Sequence, residues 1–307
     1  MTGTVLILGG TGKIGRHSAE AFEAAGWQVK QFDRHNDDMA SAAEGCDVIV
    51  NGLNPPNYHN WQETIPRITA QVIDAARQSG ATVILPGNVY HFGDNDGTWS
   101  EHTPPKPVSR KGRIRLDMER AYADSGVQTI ILRAGNFIDP DRRGCIMSEL
   151  YLRDITRGRI NLPGPAEIRQ AMCYLPDWGR ASAALAEKRH ELSRFEDIPF
   201  PGYTLSAQEI KCELERITGR SLTFKRFPWW MLTIAGPFWE LARELSEMRY
   251  LWETDHALCG RRFSALLPDF EDTPLDEVMR SALKINPRIR RRRSLPTTRR
   301  QPQLQPR

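Results

Sequence analysis

Residues 4–15 have the sequence TVLILGGTGKIG, and this stretch decides the fold. The run Thr4–Leu8 is short, apolar and followed by glycine, which is typical of a buried strand. From Gly12 to Ala25 apolar residues recur at helical spacing, and Gly26 ends that segment. The stretch therefore predicts a buried strand, a glycine-rich turn and a helix in direct succession.

The turn contains Gly9, Gly12 and Gly15 in a GxxGxxG pattern. Glycine lets the backbone approach a pyrophosphate closely, and the N-terminus of the following helix supplies free N–H donors and the positive end of its dipole. A tight turn with a purely structural role is the alternative. We expect a dinucleotide cofactor here, and the predicted contacts are Gly9, Thr11, Gly12, Lys13, Ile14 and Gly15.

The end of the next strand carries an acid that bears on the choice of cofactor. The strand predicted at 28–32 is followed by Asp33, whose carboxylate can bind both hydroxyls of an adenosine ribose. NAD is therefore favoured, because the 2′-phosphate of NADP would repel this carboxylate. Arg34 could pair with that phosphate or stack on adenine, so NADP stays possible. The alternative for Asp33 is a solvated loop acid.

Strands and helices alternate through the first half of the chain. Strands are predicted at 47–51, 82–85 and 129–132, with helices at 61–79 and 111–124 between them. This alternation indicates an α/β fold with a Rossmann-like, doubly wound parallel sheet. In the second half, helices are predicted at 147–157 and 177–187, after a capping box at 206–209, and over most of 229–252.

Domain organisation follows from these patterns and from a composition shift at the end of the chain. We predict a cofactor domain at 1–165 with contributions from about 170–190, a smaller α/β substrate domain at 166–284, and a disordered basic tail at 285–307. The tail holds eight arginines and no acid, so removing it changes the formal net charge from +4 to −4. A mildly acidic body is not expected to bind nucleic acid.

Composition narrows the class of protein further. The longest apolar run, Trp229–Trp239, is too short to span a membrane, and no charged leader precedes the first strand. The five cysteines are scattered, so no metal site or disulfide framework is expected and a cytoplasmic location is the default. The arginine run 290–293 is interpreted as solvated, with an electrostatic anchor for RNA or an acidic membrane as the alternative.

The GxxGxxG turn, Asp33 and the order of strands resemble the extended and atypical short-chain dehydrogenase/reductase superfamily, the NAD(P)-dependent epimerase/dehydratase group. The resemblance covers most of residues 1–284. It is looser in four segments, at 51–53, 88–90, 133–137 and 174–177. It implies a Rossmann-like domain with a smaller substrate domain, a cofactor contact at Leu53, and a possible homodimer.

Proteins of this superfamily usually catalyse with a Ser or Thr and a Tyr-xxx-Lys pair. If the glutamate that follows this pair in many relatives is Glu119, then Arg115 stands at the lysine position and Lys111 at the tyrosine position. The Ser/Thr position falls on Pro86. The chain is therefore predicted to lack the usual pair.

The segments 85–88 and 92–93, together with Lys111, resemble the isoflavone-reductase-like and NmrA-like proteins, in which a lysine replaces the tyrosine. The resemblance implies that Lys111 contacts the cofactor and acts as general acid/base, with a pKa lowered by an oxidised nicotinamide and Arg115. A surface lysine at a helix start is the alternative.

Other candidate site residues have structural alternatives. Asn88 is expected to orient a substrate carbonyl or to form an Asx turn, and Tyr90 to donate a proton or to pack on the cofactor. Asn136 and Phe137 follow a strand end and are candidate substrate contacts. Trp229 is a candidate for the substrate pocket, the core or a dimer interface.

Together these features predict an NAD(P)-dependent oxidoreductase or epimerase/dehydratase-like enzyme. Its substrate would be a small or nucleotide-linked carbonyl or alcohol. The alternative is a non-catalytic NAD(P)-binding sensor or regulatory protein, which would explain the absence of the usual catalytic pair.

Overall fold

A computed structural model describes residues 3–142 and 144–284 of the chain. The strands, in chain order, are β1 Thr4–Leu8, β2 Gln28–Gln31, β3 Val48–Asn51, β4 Thr82–Gly87, β5 Gly97–Trp99, β6 Thr129–Arg133, β7 Asn136–Ile138, β8 Arg159–Leu162, β9 Arg169–Tyr174, β10 Phe195–Pro199, β11 Tyr203–Ser206, β12 Thr223–Arg226 and β13 His256–Leu258.

The α-helices are likewise numbered along the chain. They are α1 Lys13–Ala24, α2 Met39–Ala43, α3 Trp61–Ser79, α4 Arg110–Asp124, α5 Leu175–Glu187, α6 Ala207–Thr218, α7 Trp229–Ala235, α8 Glu240–Glu247, α9 Arg261–Leu266 and α10 Leu275–Lys284. Short 3₁₀ turns connect several of them, including Pro56–Tyr58 after β3 and Tyr90–Phe92 after β4.

The central sheet has six strands in the order β10-β6-β4-β3-β1-β2, and every pairing in it is parallel. Both faces are covered, because Leu6 and Leu8 pack into one apolar core while Val5 and Ile7 pack into another. Burial on both faces explains why these strands are continuous apolar runs rather than alternating ones. The predicted Rossmann-like, doubly wound α/β fold is confirmed.

The two cores lie on opposite faces of the central sheet, and different helices pack into each of them. On one face α1 packs against α5, where a Cβ at Gly179 would approach the carbonyl carbon of His17 to 3.0 Å. On the other face α3 buries Ile65, Val72 and Ala76, which lie on one side of the helix. Helix α3 ends at Gly80, whose φ of 74° is left-handed, so the predicted bounds of 61–79 are confirmed.

The C-terminal half contributes to this sheet as well as forming its own layer. Strand β10 pairs with β6 along Phe195–Pro199, so the main sheet includes residues beyond 190. A separate three-stranded sheet of β11, β9 and β7 and the pair β12-β8 enclose a third core with α6 and α10. The assignment of residues to two domains stays a prediction.

One predicted helix has a different form. Residues 147–157 were expected to be one α-helix, but they form a π-helical turn at Met147–Tyr151 and a 3₁₀ turn at Ile155–Arg157. The backbone hydrogen bonds change within the segment, since Leu152 N–H donates to the Met147 carbonyl while Ile155 N–H donates to the Leu152 carbonyl. This irregular path keeps Met147, Tyr151 and Ile155 in the same core.

Other features of the described residues complete the fold. No helix in residues 3–142 and 144–284 is long and apolar enough to cross a membrane. All five cysteines are free thiols. The predicted disordered tail at 285–307 lies outside the described residues.

Candidate active site

The glycine-rich turn joins β1 to α1 at the carboxyl edge of the central sheet. Gly9 has φ of +77°, a left-handed conformation that favours glycine. A Cβ at Gly15 would lie 2.6 Å from the carbonyl carbon of Gly9, so no larger residue fits there. Gly12 is the N-cap of α1 and brings no side chain to cap the first N–H groups of the helix. The turn and the N-terminus of α1, which we call the cradle, therefore leave backbone N–H donors for a pyrophosphate.

The loop after β3 closes against this turn. A Cβ at Gly52 would lie 3.0 Å from the backbone nitrogen of Gly15, and one at Gly9 would lie 3.4 Å from a methyl carbon of Leu53. Leu53 thus lies beside the turn, and its contact with a cofactor stays a prediction. Arg142 adds a cation that sequence reasoning missed, since its Nη1 donates to the Thr11 carbonyl at 3.3 Å. The available sequence signal was the pair of arginines at 142–143, after β7.

Asp33 follows β2 and is exposed at the same edge. Its carboxylate accepts hydrogen bonds from His35 N–H at 3.0 Å and from Asn36 Nδ2 at 2.6 Å. The backbone hydrogen bond from His35 is the main reason that the pKa of Asp33 is lowered. The acid is therefore ionised at neutral pH, as binding of ribose hydroxyls requires. Neighbouring Arg34 donates from Nε to His35 Nε2 at 3.3 Å.

Lys111 is fully buried in the first turn of α4, not exposed at the surface. Its ammonium forms ion pairs with Glu244 and with Glu247, the latter at 2.6 Å. The backbone N–H of Lys111 also donates to Glu247 Oε1 at 3.2 Å, so α8 caps the N-terminus of α4. Two carboxylates compensate the charge that burial would otherwise penalise.

Tyr58 joins this cluster, and sequence reasoning missed it. Lys111 Nζ lies 5.0 Å from the centroid of the Tyr58 ring, and the Tyr58 hydroxyl is 3.4 Å from that of Tyr90. The neighbouring Tyr90 and burial raise the pKa of Tyr58, so its hydroxyl stays protonated. We define Tyr58, Tyr90 and Lys111 as the hydroxyl–ammonium cluster.

The segment around Tyr58 has unusual backbone geometry. Asn57, Tyr58 and Asn60 have φ of 55°, 61° and 45°, which is uncommon for residues other than glycine. Strain of this kind concentrates where a chain is held for function. The available sequence signal was the pair Asn-Tyr after two prolines, in the loop that follows β3.

A buried network of charged side chains fixes the position of the residues next to Tyr90. Arg133 pairs with Glu119 at 2.8 Å and with Asp197 at 2.6 Å, and its guanidinium donates to the carbonyl oxygen of Asn88. The side-chain oxygen of Asn88 accepts from Tyr90 N–H at 3.0 Å, which is an Asx turn. This bond leaves the side-chain amide nitrogen of Asn88 as a donor.

The candidate substrate residues belong to two elements, β7 and α7. Asn136 and Phe137, in β7, line a small recess with Met147 and Tyr151. The amide of Asn136 donates to Gln170 Oε1 at 2.9 Å. Trp229 opens α7, where its indole N–H donates to the Pro163 carbonyl at 2.6 Å.

One cluster in the described residues has ligand atoms close enough for a metal, formed by His17, Asp139 and Asp141. Arg16 already pairs with both carboxylates, at 3.0 Å for Asp139. Hydrogen bonds from His17 and the Asp141 backbone, with the charge of Arg16, keep the pKa of Asp139 low despite its burial. A metal ion at this position would compete with the Arg16 guanidinium for the two carboxylates. We therefore interpret the cluster as a set of salt bridges between α1 and the segment after β7.

The turn, the acid after β2 and the parallel sheet define a Rossmann-type dinucleotide-binding protein. The model of the NAD dependent epimerase/dehydratase family matches residues 5–198, and the chain belongs to that family. This confirms the predicted superfamily, the NAD cofactor and an NAD-dependent enzyme. It favours the enzyme over the sensor considered as the alternative.

Solved structures show the same fold at low sequence identity. MoeE5 in complex with UDP-glucose and NAD has a TM-score of 0.73 at 16% identity, covering 94% of this chain and 99% of that chain. UDP-glucuronic acid 4-epimerase from Bacillus cereus, with UDP-glucuronic acid and NAD, has a TM-score of 0.72 at 17% identity, covering 92% and 98%. TunA, an NAD-dependent NDP-hexosamine 5,6-dehydratase, has a TM-score of 0.69 at 16% identity, covering 92% and 97%.

Among curated proteins, sterol-4-alpha-carboxylate 3-dehydrogenase, decarboxylating, of Mus musculus is 24% identical over 145 residues. The match covers 39% of this chain and 40% of that protein. The chain therefore matches less than half the length of this relative.

Proposed function

We propose that the chain is an NAD-dependent oxidoreductase or epimerase that acts on an alcohol or carbonyl of a nucleotide-linked substrate. The observation that carries the proposal is the position of the hydroxyl–ammonium cluster. Tyr58 follows β3 and Tyr90 follows β4, so both belong to the carboxyl edge of the sheet that also holds the glycine-rich turn. Ligands of open parallel sheets bind at this edge.

The cofactor contacts follow from the cradle. Gly9, Gly12 and Gly15 would admit the pyrophosphate, with Thr11, Lys13 and Ile14 around it. Asp33 would accept the ribose hydroxyls, and Leu53 would pack beside them. When bound, NAD accepts a hydride from the substrate or returns one to it.

The remaining chemistry needs a proton to move to or from the substrate oxygen. Tyr90 is the group proposed to exchange this proton. The Tyr58 hydroxyl, which stays protonated, lies within hydrogen-bond distance of the Tyr90 hydroxyl, and Lys111, paired with Glu244 and Glu247, holds the Tyr58 ring. Asn88 can orient a substrate oxygen through its free amide donor. This arrangement replaces the Tyr-xxx-Lys pair, since α4 has Lys111 and Arg115 at the corresponding positions.

The substrate is proposed to extend toward Asn136 and Phe137, with Trp229 at its far side. The structural neighbours that contain UDP-sugars support a nucleotide-linked substrate, because their fold matches nearly all of this chain. A small alcohol without a nucleotide is the other substrate to test.

The test removes single hydroxyls and leaves the buried ion pairs intact. Tyr58→Phe and Tyr90→Phe are compared with Tyr203→Phe, a matched loss of a hydroxyl outside the cluster. We expect both cluster variants to bind NAD and melt like the parent, while turnover of UDP-sugars falls about 10²-fold or more. Tyr203→Phe should leave turnover unchanged.

A charge-preserving change tests Lys111. Lys111→Arg keeps a cation beside Glu244 and Glu247 but moves the charged atoms, so turnover should fall. Because Lys111 is fully buried, NAD affinity and melting temperature are measured as well, to separate loss of turnover from disruption by the larger side chain. NAD binding without turnover of any nucleotide-linked or small alcohol by the parent protein would refute the proposed function.

A further inference from the structure

Large apolar side chains are exposed in one short segment of the described chain. Of the six large hydrophobic residues that are exposed in the described residues, five fall within 230–239, and the sixth is Val108. We call these five the apolar face: Trp230, Met231, Ile234, Phe238 and Trp239. Scattered exposed apolar residues are ordinary, but a contiguous set marks an interaction surface.

The fold holds this face outward. Trp230, Met231 and Ile234 lie on one side of α7, at spacings of one, three and four residues. The opposite side is anchored by Leu232, which is buried, and by the hydrogen bond from Trp229 to the Pro163 carbonyl. Phe238, at the bend before α8, is 95% exposed. The face is therefore presented to solvent by α7 and by the bend before α8.

The chemistry of the face suits a lipid surface. Tryptophan is enriched where one part of its ring meets hydrocarbon and its N–H meets water, and Phe, Ile and Met add apolar bulk. A helix of seven residues cannot span a bilayer but can lie in its interface.

Charge around the face favours anionic headgroups. Arg226 and Arg243 are exposed on the segments that flank it. Among the acids of these segments, Glu244 and Glu247 pair with Lys111 and Glu253 pairs with Arg249 at 3.2 Å. Glu240 lies 2.9 Å from Nδ1 of His59. The chain also carries eight arginines at 285–307, and basic segments of this kind are attracted to anionic lipid.

A second copy of the chain fits this face less well. A twofold contact would bring Arg226 and Arg243 of both copies into one interface, and their like charges oppose such pairing. Lipid phosphates offer the complementary charge.

We propose that the apolar face docks on the surface of an anionic lipid bilayer. Phe238, Ile234 and the tryptophans enter the boundary between headgroups and acyl chains, while Arg226 and Arg243 meet lipid phosphates. The enzyme is a peripheral membrane protein in this proposal, which does not depend on its substrate.

The test is cosedimentation of the full-length protein with vesicles. One set contains phosphatidylcholine alone, and the other contains phosphatidylcholine with phosphatidylglycerol. The double variant Ile234→Ser/Phe238→Ser is compared with Val108→Ser, which removes an exposed apolar side chain elsewhere. Melting temperature and NAD binding verify that the variants are folded.

We expect the parent and Val108→Ser to bind the anionic vesicles more strongly than the neutral ones. The double variant should bind them about 100-fold more weakly, since burial of one large apolar side chain contributes about tenfold or more. Equal binding by parent and double variant would overturn the proposal, as would failure of the parent to bind anionic vesicles. Light scattering that shows a dimer of the parent, a monomer of the double variant and no vesicle binding would assign the face to a homodimer instead.

Discussion

The buried histidine beside the cluster predicts how stability changes in acid. His91 is only 4% exposed, and its Nδ1 lies 3.2 Å from Nη1 of Arg133. Burial and the charge of Arg133 lower the pKa of His91 from 6.5 to about 3. The histidine is therefore neutral in the folded protein at pH 5, whereas it is protonated in the unfolded chain.

The direction of the effect follows from proton linkage. Below pH 6.5 the unfolded state binds a proton at His91 that the folded state does not bind, so stability falls as the pH is lowered toward about 3. Between the two pKa values, from pH 6.5 to about 3, His91 lowers the free energy of unfolding by about 5 kcal/mol in total. Between pH 7 and pH 5 its contribution to this decrease is about 2 kcal/mol.

The assay is urea unfolding at pH 7 and pH 5 of the parent and of His91→Asn, which keeps an acceptor near Arg133 but does not titrate. From pH 7 to pH 5 the free energy of unfolding of the parent should fall by about 2 kcal/mol more than that of His91→Asn. The other titrating groups contribute equally to both proteins and cancel in this comparison. His102→Asn, at an exposed site, should behave like the parent. Equal losses by the parent and His91→Asn would refute the reasoning.

Three further changes test the cofactor cradle and the tail. Gly15→Ala places a methyl group against the Gly9 carbonyl, so NAD affinity measured by calorimetry should fall more than about tenfold. Asp33→Ala removes the hydrogen-bond acceptor for the ribose hydroxyls. The ratio of NAD affinity to NADP affinity, measured by titration with each nucleotide, should therefore decrease. Replacing the arginines of 290–293 with glutamine should weaken binding to anionic vesicles at low salt and have little effect at high salt.

Much of the fold follows from local patterns. The bounds of α3 are those that its apolar spacing predicts, and the capping box at Ser206 and Glu209 is present at the start of α6. The segment 147–157 departs from its prediction, because packing in the third core imposed a π turn that helical periodicity does not signal.

The sequence predicted only those parts of the site whose residues lie close together along the chain. The glycine turn and Asp33 are adjacent to β1 and β2, so periodicity alone places them at the sheet edge. The burial of Lys111 could not be inferred, because its partners Glu244 and Glu247 are more than 130 residues away along the chain. A lysine at a helix start has the same local pattern whether solvent or two carboxylates surround it.

The sequence by itself therefore determined the parallel sheet, the cofactor turn and the acid that follows β2. These features depend on residues that are close in the chain, through strand burial, helix spacing and the freedom of glycine. Only the tertiary structure decided which groups meet at the carboxyl edge, where Tyr58 joins Tyr90 and α8 covers Lys111. Such contacts depend on packing between distant segments, which local periodicity does not specify.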